Sequence, residues 1–301
     1  MPDVIRDHDI IPPLEAKDDL PVVRRIILAD LKDALARGYD DFMAMPTQVL
    51  FLCLIYPIAG LLIGRLAFGY DVFPLFYMLA SGFALIGPFA AIGMYELSRR
   101  REAGLDTSWK HAFDIIHSPS LMAILGLGAL LMLLLAVWVG VAQWIYTANF
   151  GVREPAAPVA FVKSLFTTRE GLRFLAVGNI VGLFFALLAF ALSAISFPLM
   201  LDRKVGIAVA ITTSMKAIAM NPVTMLLWGL IVAGALFLGS LPFLVGLAVV
   251  MPILGHATWH LYRRVIEPDF GPRPGVPQRP RIERHAADFP AVLFTLFNRR
   301  K

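Results

Sequence analysis

Long runs of apolar side chains constrain the fold of this chain more than any other feature. A helix needs roughly 20 apolar residues to cross about 30 Å of hydrocarbon. One run is about twice that length, and its middle holds Gly239-Ser240-Leu241-Pro242, which is typical of a turn. Dividing this run at the turn predicts six transmembrane spans, at about Thr47–Phe68, Pro74–Leu97, Ser120–Tyr146, Phe174–Leu201, Val223–Leu238 and Pro242–Tyr262.

The composition supports a membrane protein and excludes an ordinary water-soluble domain. Hydrophobic residues make up 58% of the chain and charged residues only 16%, with a mean hydropathy of +0.71. The single cysteine, Cys53, lies inside an apolar run, so no internal disulfide is expected. The first 20 residues contain no apolar stretch, and we therefore expect the first span to act as its own insertion signal.

One pattern occurs three times along the chain. An amphipathic segment leads to a proline (Pro46, Pro119 or Pro222), two apolar spans follow, and a basic cluster ends the unit. Asp41 and Asp114 stand five residues before the first two prolines. Internal self-similarity of this kind indicates tandem structural units.

The amphipathic segments are predicted to be interfacial helices, lying in the headgroup plane. The first is Val23–Phe42, the second carries Trp109, Phe113 and Ile116, and the third ends in AIAMN before its proline. Each unit starts and ends on the same side, as parallel repeats do. The predicted fold is all-α: a polytopic membrane bundle of six transmembrane helices, built as three pseudo-repeats of an interfacial helix plus a transmembrane hairpin.

Basic residues predict the orientation of this bundle. Of the 27 lysines and arginines, 22 fall on the side that holds both termini, so both termini are predicted to be cytoplasmic. We expect a disordered tail at 1–20, a six-span membrane domain at 21–266 and a proline-rich basic tail at 267–301. The lipid bilayer is the expected partner, with anionic lipids bound by the basic flanks. Because the pI of 9.5 results from those flanks, no nucleic-acid partner is predicted.

Glu96 is a candidate functional residue because ionisable groups are costly near the membrane. It stands three and four residues before Arg99 and Arg100, a spacing that favours a helical ion pair. The alternative is a polar site for a cation or proton at the cytoplasmic face, formed by Glu96 with Tyr95. No phosphate-binding loop, nucleophile elbow or other soluble catalytic motif occurs, so the sequence assigns no catalytic residue.

Four of the six histidines are predicted at the cytoplasmic boundary. His256 and His260 share one face of the sixth helix, and His111 and His117 lie in the second amphipathic segment. Imidazole is a common ligand of transition metals and haem, so these four are candidate metal or haem ligands. No HExxH spacing accompanies them, which favours structural hydrogen bonding, with Glu96 or Tyr95 as the expected partner of an imidazole. Trp259 is expected at the depth of an aromatic belt.

Three stretches resemble a bacterial family of predicted integral membrane proteins, the domain of unknown function 2189. They are DDFMAMPTQVLFLCLIYPIAGLLIG, FALIGPFAAIGMYELSRRREAGLDTSWKHAF and MPILGHATWHLYRRV, and GHATWHLYR is the most specific block. The resemblance covers about Pro21–Ile266. Some members are labelled as cytochrome c oxidase subunits, which implies a link to haem–copper oxidases. The intramembrane histidines that bind two haems and copper in the catalytic subunit do not occur here.

The sequence therefore predicts a multi-pass protein of the bacterial inner (plasma) membrane without catalysis of its own. Its expected role is that of an accessory, assembly or small-solute transport component, with another membrane complex as a partner. One alternative is a redox-linked protein that binds haem or a metal through His256 and His260. The other is an enzyme that acts on lipids at the cytoplasmic face, with Glu96 and a histidine as acid and base.

Overall fold

A computed structural model of the chain describes residues 20–45, 91–151, 158–203, 205–241 and 246–268. These residues all lie within the unit Met1–Gly271, and a second unit, Pro272–Lys301, lies outside them. Along the described chain the structure forms α1 (Leu28–Ala44), α2 (Ile92–Glu102), a 3₁₀ helix (Trp109–His117), α3 (Leu121–Phe150), α4 (Pro158–Thr167), α5 (Arg169–Ser193), α6 (Ser196–Asp202), α7 (Ile207–Met220), α8 (Pro222–Ser240) and α9 (Leu247–Val265).

Three of the described helical segments are long and apolar enough to cross a membrane. They are α3, the continuous pair α5 and α6 (Arg169–Asp202), and α8. These segments coincide with the third, fourth and fifth predicted spans. The predicted first span and most of the second lie outside the described residues. Pro222 stands at the first position of α8, where its missing N–H costs no hydrogen bond, as the repeat pattern indicated.

Helix α9 occupies the place of the predicted sixth span but is not among these three candidate spans. Its second half carries His256, His260 and the basic pair Arg263 and Arg264, which lower its hydropathy. Most side chains of that half are buried against other helices of the protein. The described helices therefore support a helical membrane protein, and the count of six spans stays a prediction.

The prediction that Val23–Phe42 is one amphipathic helix is wrong at its N-terminal end. Helix α1 begins at Leu28, and Val23 instead forms an isolated antiparallel bridge with Ile266. The Asn221 side chain also hydrogen-bonds to the backbone of this segment. Its Oδ1 accepts from the Ile26 N–H at 2.8 Å, and its Nδ2 donates to the Arg24 carbonyl at 3.0 Å. Because these distant partners satisfy the backbone groups, the segment is extended despite the helical spacing of its apolar residues.

The other two amphipathic segments are helical. The second is the 3₁₀ helix, which exposes Trp109, Phe113 and Ile116, and the third is the short apolar helix α7. Their predicted location in the headgroup plane stays a prediction.

The amphipathic segments pack against the helices that end the repeat units. Helix α1 lies on α9, the 3₁₀ helix on α2, and α7 on α6. We call α1, α2, the 3₁₀ helix, α6, α7 and the second half of α9 the junction layer. Its core contains Phe197, Trp259 and Tyr262, all almost completely buried, and Trp228 of α8 belongs to the same core. A Cβ atom on Gly38 would lie 2.6 Å from the backbone N of Ala257, so α1 and α9 touch at the level of their main chains.

Candidate functional site

Among the described residues, a concentrated group of polar side chains lies where α1, α2 and α9 meet. We call it the Asp41 cluster, and it contains Asp41, Ser98, Arg101, His256 and His260. The local sequence explains the placement. Asp41 follows Gly38 by three residues on the buried face of α1, and His256 and His260 are four residues apart on one face of α9.

Asp41 is the centre of the hydrogen-bonding network. Its Oδ2 accepts from the Ser98 hydroxyl at 2.6 Å and lies 2.9 Å from Nε2 of His260, while its Oδ1 accepts from Arg101. The Ser98 oxygen also lies 2.7 Å from Nδ1 of His256. The serine proton goes to Asp41, so Ser98 accepts from Nδ1–H of His256. This tautomer leaves Nε2 of His256 as an acceptor, buried and without a hydrogen-bond partner in the part of the chain that the structure describes.

The centre of the cluster is closed to solvent, while Arg101 at its edge is partly exposed. Ser98 and His256 are 0% exposed and Asp41 is 4% exposed. Burial acts to raise the pKa of Asp41, but hydrogen bonds from His260 and Ser98, together with the charge of His260 and a hydrogen bond from Arg101, outweigh it and lower the pKa to about 2. Asp41 is therefore an ionised carboxylate whose charge is compensated inside the protein.

A second polar group adjoins the first, on the side of α2 and α6. Arg263 of α9 donates to Glu102 Oε1 at 2.9 Å and lies 3.4 Å from Asp202 Oδ2. The Tyr262 hydroxyl donates to the same Asp202 oxygen at 2.8 Å. Trp259 donates its indole N–H to Glu102 at 3.1 Å and is 0% exposed. Trp259 is therefore enclosed in the protein, and its depth relative to a membrane stays a prediction.

Glu96 and Tyr95 are both buried on α2, and Glu96 is not the expected anchor of the cluster. Glu96 forms the ion pair that its spacing predicted: Arg99 donates to its two carboxylate oxygens at 2.7 and 2.8 Å. The predicted bond between Glu96 and a histidine of α9 is wrong, because His256 and His260 bind Ser98 and Asp41 instead. The bidentate geometry holds Glu96 firmly to its own helix.

The four candidate histidines do not form one site. His111 lies between Asp114, at 2.7 Å, and Asp106, at 3.0 Å, and Asp114 also accepts from Arg100 at 3.1 Å. His117 is exposed at the end of the 3₁₀ helix. Within the described ranges, no group of three or more histidine, cysteine, aspartate or glutamate side chains is arranged to hold a metal ion.

Sequence reasoning missed Asp41, Ser98 and Arg101 as members of the site. One signal for Asp41 was present: aspartate recurs five residues before the first two prolines. In the structure both of these aspartates pair with an arginine of α2, Asp41 with Arg101 and Asp114 with Arg100. Both aspartates therefore join an amphipathic segment to α2.

Comparison with known proteins agrees with a membrane protein of this kind. Residues 75–202, less than half of the chain, match the model of a family described as predicted integral membrane protein (DUF2189). The match is shorter than the resemblance at Pro21–Ile266 and ends before the GHATWHLYR block. No curated protein and no solved structure matches the chain. The segment from before α2 to the end of α6 is thus similar to the DUF2189 family of predicted integral membrane proteins.

Proposed function

We propose that this protein is a non-catalytic accessory or assembly component of a membrane. In this proposal the Asp41 cluster holds the helices of the junction layer together. The observation that carries the proposal is the mutual pairing of the cluster's buried groups. Both Asp41 oxygens are hydrogen-bonded, and Ser98 and His256 are fully enclosed. A general base must reach the proton that it removes, and these groups are turned toward one another.

The proposal includes six spans arranged as a closed ring of three units. It is supported by the way in which each amphipathic segment packs on the last helix of the preceding unit, with α1 on α9 joining the first unit to the third. The equal spacing of Pro88 to Arg99 and Pro252 to Arg263 makes Gly93 and Ala257 equivalent positions. Each of them meets a small residue of the packed segment: Gly93 faces Ala112, and Ala257 faces Gly38.

The junction layer is proposed to lie on the cytoplasmic side of a bacterial inner membrane, together with both termini. The supporting observation is that the basic residues gather on that side, where they are also placed to attract anionic lipids. Reporter fusions after Ala103 and after Pro158 should report opposite sides of the membrane. Signals from the same side would contradict this topology.

The accessory role is tested by the size of the native complex. Gently solubilised membranes should show the protein in a discrete assembly larger than itself, with partners that cross-link before solubilisation. The assembly should lose its partners in Asp41→Ala and keep them in Asp40→Ala, an exposed neighbour on the same helix. A protein that runs alone, and moves a solute when placed in vesicles, would be a transporter instead.

A second candidate is a haem- or metal-binding redox protein. One observation favours it: Nε2 of His256 is a buried acceptor without a partner among the described residues. Purified protein would then show a Soret band or stoichiometric metal that His256→Ala abolishes and His117→Ala keeps. The accessory role predicts colourless, metal-free protein in all three cases. A lipid-acting enzyme is tested in the same preparations, because Glu96→Gln would abolish turnover of a lipid substrate.

A further inference from the structure

Helix α4 has no assigned role, and its side chains divide into two faces. Phe161, Ser164 and Leu165 are half-buried on one face, and the opposite face exposes Val159, Val162 and Phe166. The exposed residues follow at intervals of three and four, which places them in one stripe. Val159 is 82% exposed and Phe166 is 66% exposed, so the stripe has no partner among the described residues.

The inner face of α4 is fixed to the ends of two candidate spans. Phe161 packs against Phe150 and Tyr146 of α3, with ring centroids 5.4 and 6.0 Å apart, and Phe174 of α5 lies 5.5 Å from Phe150. These four aromatic rings form one cluster that joins α3, α4 and α5. Helix α4 therefore lies across the ends of the two spans and is held there by packing.

The chain bends sharply between α4 and α5. The Thr168 hydroxyl donates to the Ser164 carbonyl at 2.8 Å and accepts from the Gly171 N–H at 3.0 Å, which caps α5. A Cβ atom on Gly171 would lie only 2.2 Å from the Ser164 carbonyl oxygen. Helix α4 consequently cannot continue along the axis of α5, and its outward stripe points away from the body of the protein.

The position of α4 at one end of the candidate spans indicates which environment surrounds the exposed stripe. Helix α5 has 25 residues, which is about 37 Å of helix, and it leads from α4 directly to α6 of the junction layer. The two ends of α5 are thus separated by about the thickness of a bilayer. Lys163 and Arg169 are exposed near the stripe, as a helix at the charged headgroups would require.

We propose that α4 is an interfacial anchor, seated in the bilayer surface opposite the junction layer, with Val159, Val162 and Phe166 at the boundary of headgroups and acyl chains. Trp144 near the end of α3 and Leu172 near the start of α5 are exposed apolar residues as well, so lipid would cover them together with the stripe. The inference depends on α3 and α5 crossing the membrane and is independent of an accessory role.

Spin labels on single cysteines test the proposal in the full chain. In a Cys53→Ser background, labels are placed at Val162 and Phe166, and at Ala160 as the control, an exposed residue of α4 outside the stripe. In vesicles of phosphatidylcholine and phosphatidylglycerol, collision with oxygen relative to a water-soluble nickel complex should be several-fold higher for Val162 and Phe166 than for Ala160. All three sites are exposed, so the substitutions do not disturb the core.

Two results would overturn the proposal. Equal nickel accessibility at Val162, Phe166 and Ala160 would place the stripe in water. Strong spin–spin coupling between Phe166 labels of two molecules, absent after dilution with unlabelled protein, would show that a second copy covers the stripe. The accessory role is tested by the size of the native complex, and neither spin-label measurement depends on that complex. Failure of the anchor and failure of the accessory role can therefore be distinguished.

Discussion

The Asp41 cluster encloses polar side chains, whereas the hairpin of α3 and α5 turns large apolar side chains outward. In the cluster, a carboxylate, a serine and an imidazole are enclosed among helices. In the hairpin, large apolar residues point outward, including Met122, Trp144, Ile180 and Phe184. At most 28% of the most apolar stretch of each candidate span is buried in the protein.

The difference shows that two environments shape one chain. In hydrocarbon an outward apolar side chain costs nothing, and helices associate through close packing, as Trp138 does with Phe185 at a centroid distance of 5.4 Å. In the junction layer, ion pairs and hydrogen bonds between distant residues join the helices in addition to close packing. Identical substitutions should therefore have different effects in the two regions.

The largest effect is expected from Asp41→Ala. The substitution removes the shared acceptor of the buried Ser98 hydroxyl, the largely buried His260 and the partly exposed Arg101, which costs about 3–5 kcal/mol of unfolding free energy. Asp40→Ala, at an exposed position on the same helix, should change it by no more than about 0.5 kcal/mol. Chemical unfolding in detergent measures both. Equal effects would mean that the cluster does not hold the junction layer together.

A charge placed on an exposed isoleucine should separate the two environments directly. Ile180 of α5 is 70% exposed and Ile27, just before α1, is 66% exposed. Ile180→Arg should disfavour insertion by about 2.5–3.5 kcal/mol, because its side chain faces hydrocarbon. Ile27→Arg should cost no more than about 0.5 kcal/mol. Glycosylation-based insertion assays give the first value and unfolding gives the second. A tolerated arginine at position 180 would place α5 outside the bilayer.

Two glycines test how closely the helices approach. A methyl group on Gly38 meets the main chain of Ala257, so Gly38→Ala should destabilise the protein by about 1–3 kcal/mol. Gly234 of α8 has open space around its Cα, and Gly234→Ala should be neutral or slightly stabilising. The comparison uses thermal unfolding in one detergent. Equal melting temperatures would show that α1 and α9 are not in main-chain contact.

The smallest effect is a dependence of stability on acid pH. The pKa of Asp41 falls from 3.8 to about 2 in the folded state, so the native carboxylate binds a proton less readily than the unfolded one. Its contribution, about 2–2.5 kcal/mol, is complete above pH 3.8 and is lost as the pH falls toward 2. Asp41→Asn removes this dependence, and the difference between the two unfolding curves measures it. A constant difference would contradict the lowered pKa.

The local parts of this structure were predictable, and the site was predictable only in part. Helices α3, α5 and α8 follow from apolar runs that hydrocarbon must surround, and the Glu96–Arg99 pair follows from a spacing of three on one helix. His256 and His260 were placed on one face correctly. Their hydrogen-bond partners were not predicted correctly. Glu96 and Asp41 are both carboxylates near a proline-flanked span, and sequence spacing alone does not show which of them contacts a histidine.

The sequence by itself determined a helical membrane protein, since periodicity and apolar length depend only on neighbours in the chain. Tertiary structure decided the rest. Asp41 meets His260 across 219 positions and Ser98 across 57. The extended segment around Val23 and the burial of Trp259 likewise depend on partners far along the chain. Such contacts form because buried polar groups must find a donor or acceptor, and only the packed helices determine which one lies within reach.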